Sequence, residues 1–407
     1  MRCSPRCGSS STAIEPRLPI ASRPSRTRPR GGRCPRRQES LSSVSDTRPR
    51  PPSPMPVRAA DGGSSGLKSV DTSALNSIAL RETRVKNSPS VAEHLEMYRR
   101  MVLVRHLEEG LGVLHREGRT RGPIHRCDGQ EAVGVAATAV LEPGDKVTTT
   151  HRGHAVYIGK GMAMGPVVAE IMGRATGACG GRAGHMLIAD VEAGVIGGNA
   201  IVGAGIPAAT GMALSMQVLG QRSVALCVFG DGAAQTGICH EAMNIAALWK
   251  LPVVFVLEHN GFGLTVPSAV QSSVPDLAVR AAGYAMPSEI VDGNDAVAIY
   301  RAVAGMVERA RRGDGPGLVE CKTYRMEGFS TSDMGGYQRP EDIAAWRARD
   351  PLKISREALR ASVGDETLSD IESAAKTEVD DAFAAALAAP FPTFRLDEAS
   401  NPYSEAH

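Results

Sequence analysis

Two short apolar runs dominate the patterning of this chain, residues 223–229 and 251–257. Each is nearly unbroken, where a half-exposed strand would alternate. Runs of this length, rich in Val and closed by Gly or polar residues, predict strands buried on both faces, as in a parallel sheet. A helix-length segment from about residue 235 to 249 separates them. Upstream, Ser90 and Glu93 form a capping box, and Leu95, Tyr98 and Val102 recur at helical spacing, so a helix runs to about Gly110. The pattern then predicts a second helical element over 131–141, a short strand over 145–149 and a helix over 164–172. A glycine-dense loop spans 173–205, followed by a small-residue helix over 207–219. Strands at 289–291 and 318–323 flank a helix at 296–312, and short helices continue past Pro340 to about Ala389. There are no internal repeats. Strands alternating with helices predict an α/β fold, a doubly wound parallel sheet.

The two apolar runs end informatively. The first enters Gly230-Asp231-Gly232 and the second enters Glu258-His259-Asn260. Ligands of open parallel sheets bind outside the carboxyl ends of strands, and Asp231 and Asn260 are expected at neighbouring strand ends. One carboxylate oxygen and one amide oxygen suit a small hard cation such as Mg²⁺, which also takes water and phosphate oxygens. Gly230 and Gly232 let the backbone approach a diphosphate. The helix that follows turns its free N–H groups and positive dipole to the same spot. The chemistry implied is metal-bridged diphosphate binding. Arg152, just past the 145–149 strand, adds a fork suited to phosphate oxygens.

These features resemble a known family. Gly230-Asp231-Gly232 through Asn260 looks like the thiamine diphosphate motif. The stretch GDGAAQTGICHEAMNIAALWKLPVVFVLEHNGFGLTVP resembles the α subunit of the decarboxylating component of 2-oxo acid dehydrogenase complexes, the family that includes pyruvate, branched-chain and acetoin dehydrogenases. The resemblance runs from about Ser90 to about Arg356. It implies thiamine diphosphate and Mg²⁺ as cofactors, with Asp231, Asn260 and the backbone carbonyl of Phe262 as metal ligands. It places Gly232 and Ala233 beside the diphosphate, His151 and Arg152 in contact with it, and Val202 near the cofactor. The pattern Gly-x-x-His-x-x-x-Gly-Gln-Glu falls on Gly122 to Glu131 and makes His125 the residue facing the reacting carbon, where it can serve a developing oxyanion. His154 matches a nearby family histidine and is a second catalytic candidate. The pyrimidine-binding half and its catalytic Glu are expected from a separate β subunit in an α₂β₂ assembly, with a lipoyl-bearing acyltransferase as further partner and a small 2-oxo acid as substrate.

The chain also departs from the family. Phe329 stands where a loop histidine serving acyl transfer is usual. His185 and Leu187 replace the Ser and His of Gly-Ser-Met-His, and His259 replaces the first Asn of Glu-Asn-Asn. The diphosphate end of the site matches the family, and the acceptor loop does not. An acetoin- or acyloin-type reaction with a non-lipoyl acceptor is therefore the alternative to lipoyl transfer. A non-catalytic regulatory paralogue is disfavoured by the intact Asp231, Asn260 and Arg152. A nicotinamide site at Gly203-Ala204-Gly205-Ile206-Pro207-Ala208 lacks the acidic partner that such a motif needs, because Asp231 is already used.

Composition changes the picture at one end only. Residues 1–60 hold 13 Arg against three acidic residues, with 11 of the 26 Pro. The rest of the chain is mildly acidic, and no nucleic-acid partner is expected. Residues 1–85 read as a disordered basic tail, with an α/β domain over 86–338 and a helical extension over 339–407. The tail has three open readings: an organelle transit peptide, a basic arm for an acidic partner, or an upstream extension with the working start at Met55. The expected location is the cytoplasm, or the mitochondrial matrix or plastid if the tail is a transit peptide. No run approaches the ~18–20 apolar residues of a membrane helix, so no membrane partner is expected. Eight scattered Cys without a CxxC pair suit reduced, non-catalytic thiols.

Overall fold

A computed structural model of the chain describes residues 88–393. The expectations for residues 1–85, including Cys3, Cys7, Cys34 and a start at Met55, lie outside the described residues. Chain order gives α1 (Val91–Arg116), α2 (Glu131–Ala139), β1 (Lys146–Thr148), α3 (His154–Gly159), α4 (Met164–Ile171), β2 (Val195–Gly197), α5 (Gly205–Val218), β3 (Ala225–Gly230), α6 (Gly237–Leu248), β4 (Val253–His259), a two-stranded ribbon β5 (Phe262–Gly263) and β6 (Val266–Pro267), α7 (Ser268–Gln271), β7 (Ser288–Asp292), α8 (Ala296–Arg311), β8 (Gly317–Lys322), α9 (Pro340–Ala348), α10 (Pro351–Val363) and α11 (Asp365–Ala388).

The main sheet has six strands in the order β2-β1-β3-β4-β8-β7, all paired in parallel. Its central strands are apolar on both faces for a visible reason. Leu226, Val228, Val254 and Val256 point into a core shared with α1, α2, α4 and α8. Their neighbours Ala225, Cys227, Phe229, Val253, Phe255 and Leu257 point into a second core built with α5 and α6. Successive side chains of a strand face opposite ways, so two covered faces demand an unbroken apolar run. The expected doubly wound parallel fold is the one observed. The order also contains a reversal between β1 and β3, from which successive strands are laid down in opposite directions. Such a switch point opens a crevice at the carboxyl ends of the strands.

Several boundaries differ from the sequence pattern. Helix α1 continues past Gly110 to Arg116. The glycine-dense stretch carries a three-residue edge strand, β2, paired to β1. The helix expected from residue 235 begins instead as a 3₁₀ turn at Ala233–Gln235 and becomes α-helical at Gly237. The last helix, α11, is 24 residues long rather than short. It returns to α1, where the Tyr98 hydroxyl donates to Glu372 and Arg99 pairs with Glu378 at 2.7 Å. No helix among the described residues is long and apolar enough to cross a membrane.

The glycine-dense stretch is ordered by one carboxylate. Glu170 of α4 is fully buried. Its Oε2 accepts the backbone N–H groups of Cys179 and Gly181, each at 2.8 Å. Its Oε1 accepts those of Ala183 at 2.6 Å and Gly184 at 3.2 Å. The chain wraps this carboxylate closely enough that a Cβ on Gly177 would lie 2.4 Å from Oε2.

Candidate active site

The turns leaving β1, β3 and β4 meet at the switch point. Gly230 of β3 is in register with Glu258 of β4, so Asp231 and Asn260 follow at adjacent strand ends. Both are buried. Asp231 Oδ1 accepts the N–H of Gly232 at 2.9 Å, and Oδ2 accepts from the Ser268 hydroxyl. Asn260 donates its Nδ2 to Gln130 Oε1 at 2.9 Å, which fixes the amide so that Oδ1 faces the loop, 3.2 Å from the N–H of Phe262. Gly232 and Gly263 pass so closely that a Cβ on Gly232 would lie 3.3 Å from the Gly263 Cα. A glycine is needed here for space, since its φ is the helical −65°.

Around these residues lies a cavity of about 150 Å³ lined by His125, His151, Arg152, Val202, Asp231, Gly232, Ala233, Asn260 and Phe262 among others. Every candidate named from the sequence lines it except His154. That residue opens α3 fully buried, with Nδ1 2.8 Å from Glu108 Oε1. A larger cleft of about 510 Å³ elsewhere contains none of the candidates and is walled mainly by charged side chains, many already paired, such as Arg105 with Asp350 and Arg126 with Asp128.

The basic wall of the cavity is organised around one carbonyl. His125 Nδ1 sits 2.6 Å from the Phe329 carbonyl oxygen. A carbonyl only accepts, so Nδ1 carries the proton and Nε2 of the neutral ring holds the lone pair. Arg152, buried, donates to the same carbonyl at 3.0 Å and to the carbonyl of Arg126. His151 stands edge-on to His125, ring centroids 4.6 Å apart. Burial, and then the Arg152 charge, holds His151 down at about 3. Burial likewise lowers His125, against the opposing Phe329 carbonyl. Both imidazoles are neutral at neutral pH.

Two further charged residues line the cavity and were not singled out from the sequence. Arg325 is 2% exposed and donates to the Leu264 carbonyl at 2.6 Å and the Tyr337 hydroxyl at 2.7 Å, while its buried Nε has no protein partner. Burial pushes the Glu258 carboxyl up to about 7, against the pull of Arg152. A charged residue just past a core strand is the signal that could have marked Arg325. The replaced positions separate in the structure. Phe329 lines the cavity, Leu187 is exposed, and His185 is buried without lining it. His259 places Nδ1 2.6 Å from Glu320 Oε1 and Nε2 3.7 Å from Asp231 Oδ2. Burial opposes ionisation of Glu320, but hydrogen bonds from His259, Lys322 and the Ala278 N–H hold it at about 2.

The donor set fits a hard divalent cation that shares phosphate oxygens. Asp231, Asn260 and the Phe262 carbonyl offer only oxygens and a single carboxylate, leaving room for phosphate and water. No cluster of three or more His, Cys, Asp or Glu side chains able to hold a metal occurs among the described residues. Arg152 and Arg325 add positive charge at the same cavity.

Comparisons with known proteins give the family. Residues 99–395 match the family model described as the dehydrogenase E1 component. The chain is 40% identical over 299 residues to the α subunit of acetoin:2,6-dichlorophenolindophenol oxidoreductase of Bacillus subtilis, covering 73% of this chain and 90% of that one. It is 35% identical over 317 residues to the pyruvate dehydrogenase E1 component α subunit of Porphyra purpurea, covering 75% and 92%. Over 303 residues it is 37% identical to the corresponding subunit of Zymomonas mobilis, covering 74% and 86%.

Proposed function

The chain belongs to the dehydrogenase E1 component family, and we propose that it is the α subunit of a thiamine diphosphate- and Mg²⁺-dependent enzyme that decarboxylates a pyruvate-like 2-oxo acid. Its relatives named as pyruvate and acetoin dehydrogenase α subunits support this reading. The observation that carries it is the placement of Asp231 and Asn260 at the in-register ends of β3 and β4. When bound, the cofactor supplies the carbanion-stabilising chemistry. The residues of this chain supply position and charge. Asp231, Asn260 and the Phe262 carbonyl hold the metal, Arg152 and Arg325 face the diphosphate, and the short approach at Gly232 admits it. His125, neutral with Nδ1 held by Phe329, presents Nε2 to the substrate end of the cavity. The pyrimidine half and its Glu come from a β subunit, in an α₂β₂ assembly.

Two acceptors are chemically open, and Phe329 bears on the choice. A lipoyl group would receive the acyl unit with the help of a proton donor at the loop, and a phenyl ring cannot donate one. An acetoin-type reaction with a non-lipoyl acceptor makes no such demand. Co-expression with a β subunit, followed by assays on pyruvate, branched 2-oxo acids and acetoin with and without a lipoyl domain, tests the assignment. Failure to turn over any of them with Mg²⁺ and thiamine diphosphate would overturn it. Phe329→His should leave turnover with an artificial oxidant within about twofold and raise lipoyl acylation about 100-fold, the lower end of what one positioned proton donor contributes. Fast lipoyl acylation by the unmodified enzyme would remove Phe329 as the obstacle.

A further inference from the structure

We infer that His185 is the positioning residue of His125, with its Nε2 accepting the backbone N–H of His125. This rests on the reading of His125 as the residue that faces the substrate. The contact is 3.2 Å long, and the His185 ring lies 5.4 Å from that of His125 and 6.0 Å from that of His154. His125 is thereby fixed twice, by its ring at the Phe329 carbonyl and by its backbone at His185. A group that must meet a reacting atom gains from such fixing, because misplacement by about 1 Å can cost about 10²-fold in rate.

The device is rigid from behind. Gly184, one residue before His185, is tied to the buried Glu170 carboxylate with three other backbone N–H groups, so His185 leaves a caged segment. The segment carrying His125 is pinned in the same way. Cys127, two residues on, donates both its N–H and its thiol to Glu108 at 2.9 Å. The same Glu108 oxygen receives His154 Nδ1, and the His154 ring packs against His185. One buried carboxylate on α1 thus holds both neighbours of the contact. An Nε2 that accepts requires the proton on Nδ1, and burial holds His185 down at about 3, so it stays a neutral acceptor. His185 itself does not line the cavity, so it does not stand in for the missing loop histidine.

Two variants in the assembled α–β enzyme separate the acceptor from the bulk. His185→Gln keeps an acceptor near Nε2, and His185→Leu removes it. The Leu variant should lose about 10- to 100-fold in kcat for the 2-oxo acid with thiamine diphosphate affinity within about twofold of wild type, and the Gln variant should recover to within about fivefold. His185→Met serves in place of the Leu variant should that fail to fold. Equal losses in the Gln and apolar variants, a wild-type kcat in the apolar one, or a loss confined to cofactor affinity would overturn the assignment. If the wild type decarboxylates no 2-oxo acid, the functional reading fails, and crystal structures of the variants still decide this point. His125 should keep its Phe329 contact in the Gln variant and leave it in the apolar one, and an unmoved His125 would sink the proposal.

Discussion

Asp231→Ala is expected to weaken Mg²⁺-dependent thiamine diphosphate binding by at least about 100-fold while leaving the fold in place. Loss of a residue that only orients a ligand typically costs 10- to 100-fold in metal affinity, and Asp231 supplies the one carboxylate of the donor set. The structural cost is small. Asp231 meets its own Gly232 N–H, the Ser268 hydroxyl and, at 3.7 Å, His259 Nε2. Hydrogen bonds to a charged group are worth about 1.5–3 kcal/mol each, but removing the side chain also lifts the cost of burying a carboxylate. Asn260→Ala should lose cofactor just as completely but melt lower. It strips the partner from Gln130 Oε1 in a buried position where Gln130 Nε2 is already without one. Titration of thiamine diphosphate at fixed Mg²⁺, alongside thermal melts, separates the two effects. Wild-type affinity in either variant would remove these residues from the site.

The second large effect falls on stability. Glu170→Ala should cost about 3–5 kcal/mol, roughly 1 kcal/mol for each N–H that loses its acceptor, since one buried and three part-buried amides are released together. Glu170→Gln should rescue little. One side-chain oxygen can serve one pair of amides, but the other pair would then face an NH₂ group, donor against donor. Denaturant unfolding reads the difference, and limited proteolysis should place the new cut between residues 173 and 184. A midpoint within about 1 kcal/mol of wild type for the Ala variant would mean that the loop does not depend on this carboxylate.

What the sequence revealed about the fold follows from how local each signal is. Strands β3 and β4 were legible because burial on both faces leaves an uninterrupted apolar text, and the turn chemistry after them marks the ligand end. The parallel architecture followed from the alternation of elements. Strand β2 was not legible, since three residues between glycines carry no period. The full length of α11 was available in principle, as no Gly or Pro interrupts residues 365–388. The 3₁₀ start before α6 escaped because a propensity for helix does not state which kind.

The candidate site divides along the same line. Asp231, Gly232 and Asn260 sit directly at strand ends, and local pattern finds them. Arg152 was marked both by its place past a strand and by resemblance; His125, His151, Val202, Ala233 and Phe262 came from resemblance, and all six line the cavity. Arg325 and Glu258 depend on packing between distant segments, which pattern alone cannot express. His154 matched by text but lies behind the wall, bound to Glu108 on a helix that begins some 60 residues earlier. Its neighbour His185, which stands where the family has Ser, accepts the backbone N–H of His125.

The contact between α1 and α11 has a consequence for biosynthesis. Tyr98 meets Glu372 across 274 residues, and Arg99 meets Glu378 across 279. Contacts this distant in sequence slow folding, because loop closure must be met before they return any stabilisation. Helix α1, whose Glu108 backs the site, leaves the ribosome long before the helix that covers it. Nascent chains halted anywhere before residue 365 would therefore display an uncovered apolar flank on α1, a surface of the kind that chaperones recognise and that aggregates when unattended.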